Sequence, residues 1–236
     1  LKQPDEASAS FDKAFAINAH SEWLIGMKLQ AKMFLCDWSE LTSNISFCAT
    51  EITAHHRAIP PFIALMLFDD PKLLLETCKI YLQSTVILDS SLGAIPKREP
   101  REKVRIGYYS ADFHNHATSF LMAELFEAHD AQKFELYGFS FGPDNHDEMR
   151  SRVAKEFDHF FDVTKKSDRE VAQMSRELGI DIAVDLKGFT QDSRMGIFAE
   201  HLAPIQINYL GYPGTLAASY FDYIAADKTL IPQESQ

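Results

Sequence analysis

Hydrophobic spacing changes period once along this chain. From residue 5 to about residue 88, apolar positions recur every three to four residues, the helical period. In 5–18, Ala7, Phe11, Ala14, Phe15 and Ile17 share one face, with Asp12 and Lys13 outside it. Residues 21–40 continue the pattern through Trp23, Leu24, Met27, Leu29, Met33 and Phe34, with Ser21 placed as the N-cap. Further helices are predicted over 41–53, over 62–68 beyond the Pro60–Pro61 break, and over 72–82, where Asp70 caps and Pro71 takes the first turn. The charged stretch 94–102, with Pro96 and Pro100, ends the helical period and marks a boundary.

Beyond it, short β-forming runs alternate with helical ones. Strands are predicted at 104–110, 134–141, 159–163, 182–185, 205–210 and 223–226. Helices are predicted at 119–128, capped by Thr118 or Ser119, and at 147–156, 168–178 and 194–201, with Gly179 ending the third. Such alternation implies parallel strands with helices on both faces. The fold class is therefore α/β: an all-helical region over 1–95, then a Rossmann-like, doubly wound, mainly parallel sheet over 96–236. In open sheets of this kind ligands sit outside the carboxyl ends of the strands, so the strand-end loops are where chemistry is sought.

The first such loop, 110–118, carries Asp112, His114, Asn115 and His116. Two imidazoles two residues apart can seed a metal site, but no Cys or carboxylate set at ligand spacing accompanies them, and no metal is expected. The doublet His55–His56 reads as a solvated turn, and His20, His129, His146 and His201 as structural. His159 opens a strand and, on its chemistry alone, reads as a satisfied structural imidazole. The turn 185–190, DLKGFT, ends another strand; Lys187 and the later Arg194 suit either an anion or the solvent. Residues 210–215, LGYPGT, form a tight glycine-flanked turn whose backbone N–H groups can face an anion. No GxGxxG or GxxxxGK[ST] is present, which argues against a dehydrogenase or an NTPase.

Composition narrows the classes further. The 236 residues are 46% hydrophobic, enough for a sizeable core, and the net charge is −11 with a pI near 5.2. An acidic chain offers no general field for nucleic acid or anionic membrane. Three cysteines without CxxC spacing suggest reduced thiols in a cytoplasmic protein. No apolar run reaches membrane-spanning length, and no signal peptide opens the chain. The start at Leu1, within a helical pattern, suggests a fragment.

RIGYYSADFHNHATSF, DHFFDVT, DLKGFT with the later Arg194, APIQINYLGYPGT and FDYIAAD occur in this order. Together they resemble the O-linked N-acetylglucosamine transferase family, which includes the plant SPINDLY proteins. Ala7, Phe11 and Ala14 are similar to the second helix of a tetratricopeptide repeat, and Cys36–Trp38 to the helical connector of bacterial members. The resemblance implies the end of a tetratricopeptide array and a connector over 1–95, and the first lobe of a GT-B glycosyltransferase over 96–236. It also implies that a second lobe is absent and that this chain alone is inactive.

The implied activity is inverting, metal-independent and cofactor-free transfer of N-acetylglucosamine from UDP-GlcNAc to Ser/Thr hydroxyls. The expected partners are a nucleotide sugar, a protein or peptide acceptor and the missing lobe. By the same resemblance His116 and His159 are the catalytic candidates, side by side, with His116 as base or sugar-donor contact. Leu210, Gly211 and Pro213 approach the donor. A SPINDLY-like O-fucosyltransferase using GDP-fucose, and a non-catalytic interaction scaffold, stand as alternatives.

Overall fold

The computed structural model describes residues 3–87, 91–99 and 101–233; Leu88 and Pro100, at predicted boundaries, lie outside the described residues. The chain forms two compact units, residues 1–85 with 214–218, and 86–213 with 219–236. Residues 91–99 thus group with the second unit, earlier than the composition shift implied. The reason is a set of arginine-to-carbonyl bonds. Arg98 donates to the carbonyls of Arg176 and Ile180, and Arg176 returns bonds to those of Leu92 and Gly93.

The first unit is helical: α1 (Pro4–Ile17), α2 (Leu24–Phe34), α3 (Leu41–Thr53), α4 (Pro61–Leu65) and α5 (Pro71–Thr85). Its core joins Ile25, Leu29, Cys48, Ile52, Ile59 and Ile63. Asp70 caps α5 by accepting the Lys72 and Leu73 amides. The predicted 21–40 helix is shorter than expected, and Ser21 does not cap it. Trp23 holds the N-cap position with φ 64°, and the chain leaves the helix after Phe34, with Cys36 also left-handed. Ile17, assigned to the buried face of α1, is exposed.

The second unit carries six strands, β1 (Val104–Ser110), β2 (Phe134–Ser140), β3 (His159–Asp162), β4 (Ile182–Asp185), β5 (Ile205–Tyr209) and β6 (Tyr223–Ala225). Between them run α6 (Ala117–Glu127), α7 (Glu148–Ala154), α8 (Asp168–Leu178) and α9 (Met195–Ala199). All five pairings are parallel and the order is β3-β2-β1-β4-β5-β6. Period two divides the strands between two faces. Ile106, Tyr108 and Leu136 pack against Met122 and Phe126 of α6 and Met149 and Val153 of α7. On the other face Tyr109 stacks on Phe139 at 4.4 Å and donates a 2.7 Å hydrogen bond to Ser175 of α8. Among the described residues no helix is long and apolar enough to cross a membrane.

Candidate active site

The chain winds outward from β1 in both directions, so β1 and β4 flank the point where the strand order reverses. In this arrangement the crevice outside the carboxyl ends of those two strands is the ligand position. Here buried polar contacts tie the loops after β1 and β4 together, and the loop after β5 packs on the β4 loop.

Asp112 follows β1 and is buried. Lys187, two residues past β4 and equally buried, donates to both its carboxylate oxygens at 2.9 and 2.7 Å. Both charges are thus taken from water together, which is tolerable only with such pairing. The Thr118 hydroxyl donates to Asp112 Oδ2 at 3.4 Å, and the Ser119 hydroxyl to the Asp112 carbonyl at 2.6 Å. These two side chains therefore do not cap α6. The helix begins earlier than expected, at Ala117, and His116 is its N-cap: Nδ1 accepts the Thr118 amide at 3.2 Å.

The rest of the β1 loop is clamped from the β2 side. Asp147, the N-cap of α7, accepts the Asn115 and Arg150 amides, each at 2.8 Å, and these backbone bonds hold its carboxyl below the usual range. Buried Arg150 donates to the Phe113 carbonyl and the Ser140 hydroxyl. A Cβ on Gly142 would lie 1.8 Å from the Ala111 carbonyl oxygen, so glycine is required for the two loops to meet.

Asp185 organises the β4 loop. Its carboxylate accepts the Lys187 and Gly188 amides and the Asn208 side-chain amide of β5, each at 2.9 Å. Full burial nevertheless pushes its pKa up. The β5 loop turns through two left-handed residues, Leu210 (φ 57°) and Gly211 (φ 76°). A Cβ on Gly211 would stand 2.3 Å from the Leu186 carbonyl oxygen, so the β5 loop lies directly on the β4 loop. Tyr212 is buried edge-on to Phe189 at 5.3 Å, and Pro213 follows it at the end of this segment.

His116 is thus a half-exposed imidazole above a buried Asp112–Lys187 pair, its Nδ1 3.5 Å from Asp112 Oδ2. With Nδ1 accepting an amide, the neutral ring carries its proton on Nε2. His114 is close, with ring centroids 5.7 Å apart.

His159 is not brought to this place. It is level with Tyr137 of β2, which is level with Gly107 in mid-β1. At about 3.3 Å per residue and 4.8 Å per strand it is set back roughly 10 Å along the sheet and 10 Å across it. Its Nε2 meets Glu135 Oε1 at 3.2 Å, and Glu135 also accepts from Arg105 and Tyr137. The expectation that the two histidines stand together is corrected by this register; the satisfied-imidazole reading fits the contacts. Arg194 likewise serves the fold, bonding Asp168 and the carbonyls of Val163 and Lys166. Thr164 donates to Asp162.

The Asp112–Lys187 pair could not be read from sequence, because 75 residues separate its members. The available signal was that each follows a strand end directly.

Fold and site together define an α/β protein of the doubly wound class, with its polar loops converging where the strand order reverses. The sequence profile of glycosyl transferase family 41 matches residues 77–236, and the chain belongs to that family. A protein of Arabidopsis thaliana described as probable UDP-N-acetylglucosamine–peptide N-acetylglucosaminyltransferase SEC is 34% identical over 185 residues, 74% of this chain and 19% of that protein. The UDP-N-acetylglucosamine–peptide N-acetylglucosaminyltransferase of Caenorhabditis elegans is 36% identical over 132 residues, 56% of this chain and 12% of its own length. The chain therefore spans less than a fifth of these relatives. A mutant O-GlcNAc transferase of Thermobaculum terrenum has the same fold: TM-score 0.72 at 22% identity, over 97% of this chain and 45% of that one.

Proposed function

We propose that this chain forms one wall of the sugar-transfer cleft of a protein O-glycosyltransferase. The whole protein would move N-acetylglucosamine from UDP-GlcNAc to Ser/Thr hydroxyls with inversion and without a metal or other cofactor. The observation that carries this reading is the half-exposed His116 over the locked Asp112–Lys187 pair, at the strand edge where this sheet order receives ligands. Family membership and the activities by which the relatives are named support the reaction class. Leu210, Gly211 and Pro213 line the neighbouring turn, whose left-handed backbone allows close approach of a donor phosphate.

Glycosyl transfer passes through an oxocarbenium-like state. In the hydrogen bonding described above, His116 faces the reacting groups as a donor from Nε2. Acting as base at Nε2 requires the other tautomer, with the Nδ1 proton turned from Thr118 toward Asp112. His159 has no part in this reading.

The test uses the full-length protein with an acceptor peptide and either UDP-GlcNAc or GDP-fucose. Transfer from UDP-GlcNAc supports the proposal. Transfer only from GDP-fucose would replace the donor, and peptide binding without transfer from either would favour a scaffold.

A further inference from the structure

Sequence reading gave His20 and His56 no chemical role. In the helical unit they converge on one buried carboxylate oxygen. His20 Nδ1 lies 2.9 Å, and His56 Nδ1 3.1 Å, from Glu51 Oε2. The three donor atoms all lie within 4.8 Å of one another. A tetrahedral ion with ligand bonds of about 2.0–2.1 Å sets its ligands roughly 3.3 Å apart. The nitrogen–oxygen separations are close to that already, and both rings are exposed.

The scaffold holds these atoms from two segments, the end of α3 with the residues just past it and the α1–α2 connection. Glu51 is in the last turn of α3, with its side chain buried. His56 lies just past that helix, its amide bonded to the Glu51 carbonyl at 2.9 Å. His20 comes from the α1–α2 connection, its amide held by the Asn18 side chain and its ring 5.6 Å from Phe47. A backbone bond from the Trp23 amide to the Arg57 carbonyl joins the two loops.

The charges favour a cation. Among the described residues Glu51 has no lysine or arginine ion-pair partner; the nearby Arg57 is paired with Glu22 at 3.0 Å. The carboxylate stands in the last turn of α3, at a helix end whose carbonyls also attract positive charge. Both imidazoles are more than half exposed, which leaves an entry path and an open side for water.

We propose that His20, Glu51 and His56 bind a divalent transition ion of the zinc type. Two imidazoles and one carboxylate are a ligand set suited to zinc. The ion would fasten the α1–α2 connection to the end of α3 and stabilise the helical unit. This site is separate from the His116 loop and independent of the sugar-transfer reading.

The experiment is calorimetric titration of the full-length protein with zinc chloride, paired with thermal melting with and without zinc. The wild type is expected to bind one zinc equivalent that His20→Ala and His56→Ala each weaken about 100-fold or more, as loss of one ligand in three requires. Both replacements are at exposed rings, so the fold survives, which far-ultraviolet circular dichroism checks. His55→Ala, beside the site and bonded instead to Glu76, is expected to leave that binding unchanged. Zinc should raise the melting temperature of the wild type and of His55→Ala, but not of the two site variants. Equal zinc stoichiometry and affinity in wild type, His20→Ala and His56→Ala would overturn the proposal. So would variants that melt lower while zinc shifts nothing, which would leave a hydrogen-bonded cluster alone.

Discussion

At the scale of single residues, the contrast between His116 and His159 is one of partners. His116 spends Nδ1 on a backbone amide and is half-exposed; His159 is absorbed into the Glu135 cluster. His159→Ala is therefore expected to lower the melting temperature slightly while kcat stays within about threefold of wild type, the change expected of a group outside the reacting site. A large kcat loss with unchanged melting would restore it to the site. The same cluster predicts a pH effect. Burial alone would raise the Glu135 pKa, but hydrogen bonds from Tyr137, Arg105 and His159 outweigh it and hold the group below its usual value. A carboxylate depressed in the folded state contributes stability that is fully present above its unfolded value of about 4.3 and lost as pH falls through the lower folded value. Melting followed from pH 6 down to about pH 3 should therefore fall more steeply in wild type than in Glu135→Gln; parallel curves would contradict this. The Asp112–Lys187 pair predicts a third outcome. Lys187→Ala strands a buried carboxylate and should cost about 3–5 kcal/mol in urea unfolding, whereas Asp112→Leu with Lys187→Met together should cost less than either alone. A loss under about 1 kcal/mol for Lys187→Ala would show that the pair is not held as described.

At the scale of elements, the strands were legible because their signal is local. β1 and β4 have the bounds read from the sequence, and the other four differ only at their last residue. Helix α8 was equally legible, since Ser167 and Glu170 form a capping box and Gly179 ends it with φ 70°. The starts of α2 and α6 were not. Each depends on distant partners: Trp23 on Arg57, and Thr118 and Ser119 on Asp112. A side chain engaged elsewhere cannot serve as the local cap its type suggests. The candidate site was legible as a set of strand-end loops and illegible as a set of contacts. The β5 turn shows the difference. Two glycines flank its proline, yet the left-handed positions are Leu210 and Gly211. Gly211→Ala adds both a disfavoured φ and a clash with the Leu186 carbonyl, which is backbone and cannot swing away. It should destabilise the protein by about 1–3 kcal/mol and lower kcat/KM by displacing the β5 loop. Wild-type stability in that variant would mean that the two loops do not press together.

At the scale of the whole molecule, strand order does what no single motif does. Placing β1 at the centre, with β2–β3 on one side and β4–β6 on the other, brings together loops widely separated in sequence. His116, Lys187 and Gly211 come to one edge for that reason, and His159, at the start of the edge strand β3, stays behind on the flank. The relatives' activities belong to chains less than a fifth of whose length this one matches, so the decisive measurement is made on the full-length protein. It is the steady-state rate of sugar transfer from UDP-GlcNAc by His116→Ala, beside its melting temperature. The expected result is a fall in kcat of about 10²-fold or more with melting nearly unchanged, the scale of a group that contacts the reacting atoms. Near-wild-type kcat and KM in His116→Ala would contradict the assignment and remove this edge of the sheet from the chemistry.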